Sequence, residues 1–150
     1  MHFVQDPDHW LRRLSPREWI SAASGELAQA ERAFASRDGR GGLAGAKRAA
    51  GMALNGVLRI VPDERWGRTY VEHVAGVSKD ETAPRAVREA ASALLGATPP
   101  GGSLLSIHSR GSDQRLIDAA RTVLAHAYTV VLRTEDEQPA PAPSSQEPSP

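Results

Sequence analysis

Residues 112–133, SDQRLIDAARTVLAHAYTVVLR, carry apolar side chains at three- and four-residue intervals, the period of a helix buried along one side. With about 100° between successive residues, Val123, Leu124, Ala127, Val130 and Val131 share a face with Leu116, Ile117 and Ala120. That face predicts a core. Arg121 and His126 fall on opposite flanks of the polar side, about 140° apart around the axis. Between them lie Ala125, Thr129 and Thr122, a strip of small residues edged by a guanidinium and an imidazole, with Tyr128 beside Arg121. A stripe of this length must be buried against other elements, and what those elements are decides the fold.

The rest of the chain supplies helices. Ser15-Pro16-Arg17-Glu18 is a start signal: Ser can cap, Pro suits the first turn, and Glu three residues on completes a capping box. Trp19, Ile20, Ala23, Leu27, Ala30 and Phe34 follow at helical spacing. The helix is expected to fade near Arg37, because Asp38-Gly39-Arg40-Gly41-Gly42 is a strong breaker. A second helix, about 43–60, presents Leu43, Ala46, Ala50, Ala53, Leu54, Val57 and Leu58 and ends before Pro62. Its Gly45, Gly51 and Gly56 each cost about 1 kcal/mol against Ala, which close helix–helix approach would explain. Residues 67–77 read as a short third helix, and a fourth starts near Thr82-Ala83-Pro84 and runs to Gly96. Asp6-Pro7 can open a short helical turn carrying Trp10, Leu11 and Leu14.

Residues 96–111 lack helical period. They form either a functional or mobile loop or a segment whose Leu104, Leu105 and Ile107 tuck into the core. Ser112-Asp113 is expected to cap the last helix. No pattern of period two and no repeat is present. The fold class is all-α, a four- to five-helix up-and-down bundle over residues 1–134. Residues 135–150, rich in Pro, Ser and acid, are expected to be a disordered tail.

Composition narrows the function classes. Only seven aromatic residues accompany an apolar fraction of 40% (three Trp, two Tyr, two Phe), as suits an Ala/Leu/Val core of close-packed helices. No apolar run reaches the length of a membrane span, and the first residues are no signal peptide, so a cytoplasmic location is expected. Without cysteine there is neither a disulfide nor a thiolate nucleophile. The histidines at 2, 9, 73, 108 and 126 lack zinc spacing, so no metal and no cofactor are expected. The net charge is zero over the whole chain. The tail holds Glu135, Asp136, Glu137 and Glu147 and no base, which leaves residues 1–134 with 18 bases against 14 acids, or +4. All the bases but Lys47 and Lys79 are Arg, a balance that permits a nucleic-acid partner without requiring one.

The arrangement Arg121-Thr-Val-Leu-Ala-His126 resembles the R-x4-6-H motif on the last core helix of the HEPN family of small helical domains. His126-Ala127-Tyr128 extends it to R-x4-H-x-Y, as in the HEPN toxins paired with minimal nucleotidyltransferase antitoxins. The resemblance implies a metal-independent ribonuclease site of Arg121 and His126 at a homodimer interface. It also implies silencing by AMPylation of Tyr128 by the nucleotidyltransferase partner. The helical pair at 15–36 and 43–60 looks like the family's front half. Thr122 departs from the pattern: active members commonly carry Asn, Asp or His there. Arg68 to His73 is a second R-x4-H, without the tyrosine, and is read as coincidence.

Plainer readings stand beside these. Arg121 can pair with Asp118 three residues earlier. His126 can be a half-buried polar neighbour, and Tyr128 can pack with its hydroxyl in water. His73 and His108 are expected at the surface, and Arg12-Arg13 and Lys47-Arg48 on solvated faces. Two functions follow. One is a ribonuclease toxin acting on RNA, with Arg121 on the scissile phosphate, His126 as acid or base, Thr122 and Thr129 in support, and a nucleotidyltransferase antitoxin as partner. The other is a non-catalytic helical dimer or adaptor that uses the strip as a packing surface.

Overall fold

The computed structural model describes residues 13–97 and 110–137. Within them run α1 (Pro16–Ala35), α2 (Gly39–Ile60), α3 (Tyr70–Ser78), α4 (Arg85–Gly96) and α5 (Arg110–Glu137), with a 3-10 turn at Glu64–Trp66. No strand occurs among the described residues. The expected turn after Asp6-Pro7, the stretch 98–109 with Leu104, Leu105, Ile107 and His108, and residues 138–150 lie outside them.

The start of α1 is the capping box read from Ser15 and Glu18. The Ser15 hydroxyl accepts from the Glu18 N–H at 3.1 Å, and the Glu18 carboxylate accepts from the Ser15 N–H at 2.8 Å. Its last residue is Ala35, close to the expected end near Arg37. The left-handed position falls on Arg37 (φ 65°), not on a glycine. There the Asp38 N–H reaches back to the Ala33 carbonyl at 2.8 Å, and the Arg37 N–H reaches the Phe34 carbonyl at 3.0 Å. This six-to-one and five-to-two pair is a Schellman ending, which gives partners to carbonyls of the last helical turn.

The expected breaker at 38–42 is instead the opening turn of α2. Asp38 caps it by accepting from the Gly41 N–H at 2.8 Å, so the helix starts at Gly39 and not at residue 43. Tertiary packing overrides the weak propensity of Gly here. A Cβ on Gly42 would strike the Phe34 ring, so the tight α1–α2 turn needs the missing side chain.

α2 is the centre of the bundle and touches all four other helices. Its buried side runs through Leu43, Ala46, Ala49, Ala50, Ala53, Leu54, Val57 and Leu58. Close approach accounts for its glycines. A Cβ on Gly45 would stand 3.0 Å from the Ala30 Cβ, one on Gly56 3.0 Å from the Pro16 carbonyl, and one on Gly51 would collide with Tyr70. Ala30 beside Gly45 and Pro16 beside Gly56 also fix α1 and α2 as antiparallel. Leu54, Leu58, Leu94, Val123 and Val131 are fully buried, each worth about 1.5–3 kcal/mol of apolar transfer.

α5 closes the bundle against α2, α4 and α1, burying Leu116, Ile117, Ala120, Val123, Ala127 and Val131 as its period requires. It starts at Arg110, before the expected cap at Ser112, and passes the expected boundary at 134 to reach Glu137. Glu135 contributes to that extension. Its carboxylate accepts from Arg17 Nε at 3.0 Å and lies 2.9 Å from the same guanidinium's Nη2. No helix among the described residues is long and apolar enough to cross a membrane.

Candidate functional site on the outer face of α5

The strip anticipated on the last helix is open to solvent. Ala125, Thr129, Arg121 and Tyr128 are exposed, while Thr122 and His126 are half-buried. Glu31 of α1 meets Arg121 on one side of the strip, and the charge of Asp80, in the turn before α4, acts on His126 on the other. The five-residue step from Arg121 to His126 rises about 7.5 Å along the axis, and the two side chains leave the helix toward different neighbours.

Arg121 faces α1. Its Nη1 donates to Asp118 at 3.2 Å, the i−3 pair read from the sequence, and its Nη2 donates to Glu31 at 3.3 Å. The guanidinium is half exposed, so these are solvent-screened contacts worth about 0–1 kcal/mol each. Tyr128, 42% exposed, lies on the same flank, within the field of Arg17. Its hydroxyl is not sealed into the core.

His126 faces the other way. Burial depresses its pKa below the usual 6.5, the Arg133 charge lowers it further, and Asp80 opposes both. The imidazole is therefore neutral at neutral pH and able to accept a proton. Thr122 and Thr129 spend their hydroxyl protons inside the helix, on the Asp118 and Ala125 carbonyls, at 2.9 Å each. Their oxygens keep only acceptor capacity toward a ligand, the wrong polarity for a phosphate.

The structure thus groups Arg121 with Asp118 and Glu31, and Tyr128 with the Arg17 side of α1. His126 stands apart with Arg133 and Asp80. Sequence reading missed Glu31, Arg17, Asp80 and Arg133 as neighbours. The α1 contacts depend on helix register, which no local pattern reveals. Arg133, by contrast, lies seven residues after His126 and so on the same face, which the helical period does disclose.

The other R-x4-H pair does not form a site. His73 was expected at the surface and is fully buried. Its Nδ1–H donates to the Trp66 carbonyl at 2.9 Å, and its ring meets Tyr70 edge-on with centroids 6.4 Å apart. Burial pulls its pKa down, against the Trp66 contact and Glu72. The reversal has a local cause. The 3-10 turn brings Trp66 back over α3, where Trp66 itself is buried against Gly76, and His73 follows it inward. Asn55, in the middle of α2, is also fully buried, with neither amide atom hydrogen-bonded among the described residues.

No group of three or more His, Cys, Asp or Glu able to hold a metal ion occurs among the described residues. Comparison with family models, with curated proteins and with solved structures returns no match.

Proposed function

We propose that this chain is a HEPN-like, metal-independent ribonuclease that works as a homodimer through the outer face of α5. It would be a toxin whose partner is a nucleotidyltransferase antitoxin. The observation that carries the reading is the solvent-open Ala125/Thr129 strip flanked by an exposed guanidinium and an imidazole held neutral. Small exposed residues let a second copy approach closely, and a two-fold axis there would bring two Arg121/His126 pairs together.

In this mechanism Arg121 exchanges its carboxylates for the nonbridging oxygens of the scissile phosphate. There it offsets the charge that builds in the transition state. His126 takes the proton of the ribose 2′-OH. The 2′-oxygen bonds to phosphorus as the bond to the 5′-oxygen breaks, the departing 5′-oxygen takes a proton from water, and the His126 imidazolium returns its proton to solvent, leaving a cyclic phosphate and a 5′-hydroxyl. Adenylylation of Tyr128 would set a bulky anion beside Arg121 and compete for the same guanidinium.

Purified protein should cleave single-stranded RNA or tRNA in EDTA, and His126→Ala should remove that cleavage. Equal residual activity in the two proteins ends this reading. Expression of wild type against Arg121→Ala, with growth as readout, tests toxicity.

A second reading is favoured by the back-bonded threonines and by the two carboxylates on Arg121. Here the strip is a packing surface of a non-catalytic dimer or adaptor. It predicts a stable dimer without nuclease activity, and Thr129→Arg converts that dimer to monomer.

A further inference from the structure

Away from α5, the opening turns of α2 and the start of α3 enclose a groove of about 560 Å³. It is lined by Leu43, Ala44, Tyr70 and Val71, with Arg40, Lys47 and Arg48 around it. The sequence builds it in two steps. Gly51 has no side chain, so Tyr70 settles directly on the α2 backbone and leaves its ring along the groove. Thr69 then starts α3 with a capping box, its hydroxyl accepting from the Glu72 N–H at 3.1 Å, which sets Val71 on the outer edge at 50% exposure.

The polarity of this groove is one-sided. Its lining is almost wholly hydrocarbon and its charged rim is cationic. Arg48 is partly neutralised by Glu26 at 3.2 Å. Arg40 and Lys47 have no acidic partner among the described residues, which leaves two cations beside an apolar surface. An exposed valine next to a tyrosine and two unneutralised cations has no evident role in folding, because neither burial nor pairing rewards it. The volume lies in the range of small-molecule sites, about 300–1,000 Å³, where an apolar lining with a few convergent polar groups is the usual pattern.

We infer that this groove binds a small amphipathic anion, with its hydrocarbon or aromatic body on Leu43, Ala44, Tyr70 and Val71 and its carboxylate, sulfonate or phosphate head between Arg40 and Lys47. Burial raises the pKa of the Tyr70 phenol above its ordinary value, against the opposing charge of Arg48, so Tyr70 lines the groove as a neutral side chain. Nucleic acid fits less well, because a base needs hydrogen-bonding partners for its edges and the lining provides hydrocarbon. The site is separate from the α5 strip, and its test is independent of ribonuclease activity.

The probe is anilinonaphthalene sulfonate, titrated against the full chain by fluorescence and calorimetry at low and high salt. Saturable one-to-one binding that weakens with salt is expected. Arg40→Glu with Lys47→Glu should weaken it about tenfold or more, by turning charge-assisted contacts into repulsion. Val71→Asp should abolish it, and Arg85→Glu, on α4, should leave it unchanged. Circular dichroism and thermal midpoints of each variant separate lost binding from lost folding. Absence of saturation, or affinity indifferent to the charge reversal, overturns the inference. So does a protein that is dimeric until Val71→Asp makes it monomeric, since the groove is then an interface between copies. Competition by an oligoribonucleotide, with no response to dodecanoate, overturns it in favour of RNA.

Discussion

The Arg121 guanidinium of α5 donates to the Glu31 carboxylate of α1 at 3.3 Å, fourteen residues along each helix from the Arg17–Glu135 pair. Equal spacing on both helices, in opposite directions, fixes α1 and α5 as antiparallel in one register. It also decides what Arg121 does in the free protein, which is to hold two carboxylates.

Removing those carboxylates should release Arg121 for an anion. Glu31→Gln combined with Asp118→Asn is expected to cost under about 2 kcal/mol of stability, because both pairs are solvent-exposed. On the ribonuclease reading the same variant binds single-stranded RNA severalfold more tightly, measured by fluorescence anisotropy. Unchanged RNA affinity favours the non-catalytic dimer.

His126 should titrate below the usual 6.5, because burial and Arg133 both oppose its protonation. Arg133→Gln should raise its midpoint and Asp80→Asn should lower it further, followed by the imidazole carbon-bound proton shifts in NMR. If the protein cleaves RNA, the acid limb of its rate profile should move with Arg133→Gln in the same direction.

The fully buried His73 makes stability pH-dependent with a definite sign. Its pKa is lowered from 6.5 in the native state, so between those two values the unfolded chain binds a proton that the native chain refuses. The stabilisation is complete above about 6.5 and is lost as pH falls toward the native value, by up to about 1.4 kcal/mol per pH unit. His126 contributes with the same sign. Urea midpoints at pH 7.5 and pH 5 check it, and His73→Phe should flatten the dependence even if it lowers stability overall.

Glycine is misplaced in α1 by stability criteria alone. Arg37 occupies the left-handed Schellman position, so Arg37→Gly should raise stability by about 1 kcal/mol. Gly25 sits mid-helix, and a Cβ added there would meet nothing within 4 Å, so Gly25→Ala should give a similar gain. Gly45→Ala should do the reverse, because the added methyl meets Ala30 across the α1–α2 contact. Thermal midpoints of the three variants test the packing directly.

The all-helical class, the five described helices and most of the core side of α5 follow from the chain's apolar period, a property of neighbouring residues. The capping box at Ser15 and Glu18 is equally local, as is the Asp118 pair of Arg121. What local pattern misjudged was glycine and histidine. Gly39, Gly41 and Gly42 look like a breaker, yet Asp38 caps the turn they form and the Phe34 ring occupies the space a side chain on Gly42 would need. His73 looks like a surface residue, yet the turn at Trp66 carries it inside.

The sequence alone therefore determined which residues share a helical face: the small strip on α5, with Arg121 and His126 at its edges. Only the tertiary structure decided what faces them. The α1 register puts Glu31 on Arg121 and the turn before α4 puts Asp80 near His126, while Gly51 lets Tyr70 open a groove elsewhere. Those neighbours come from parts of the chain far apart in sequence, brought together by packing whose register no single helix encodes.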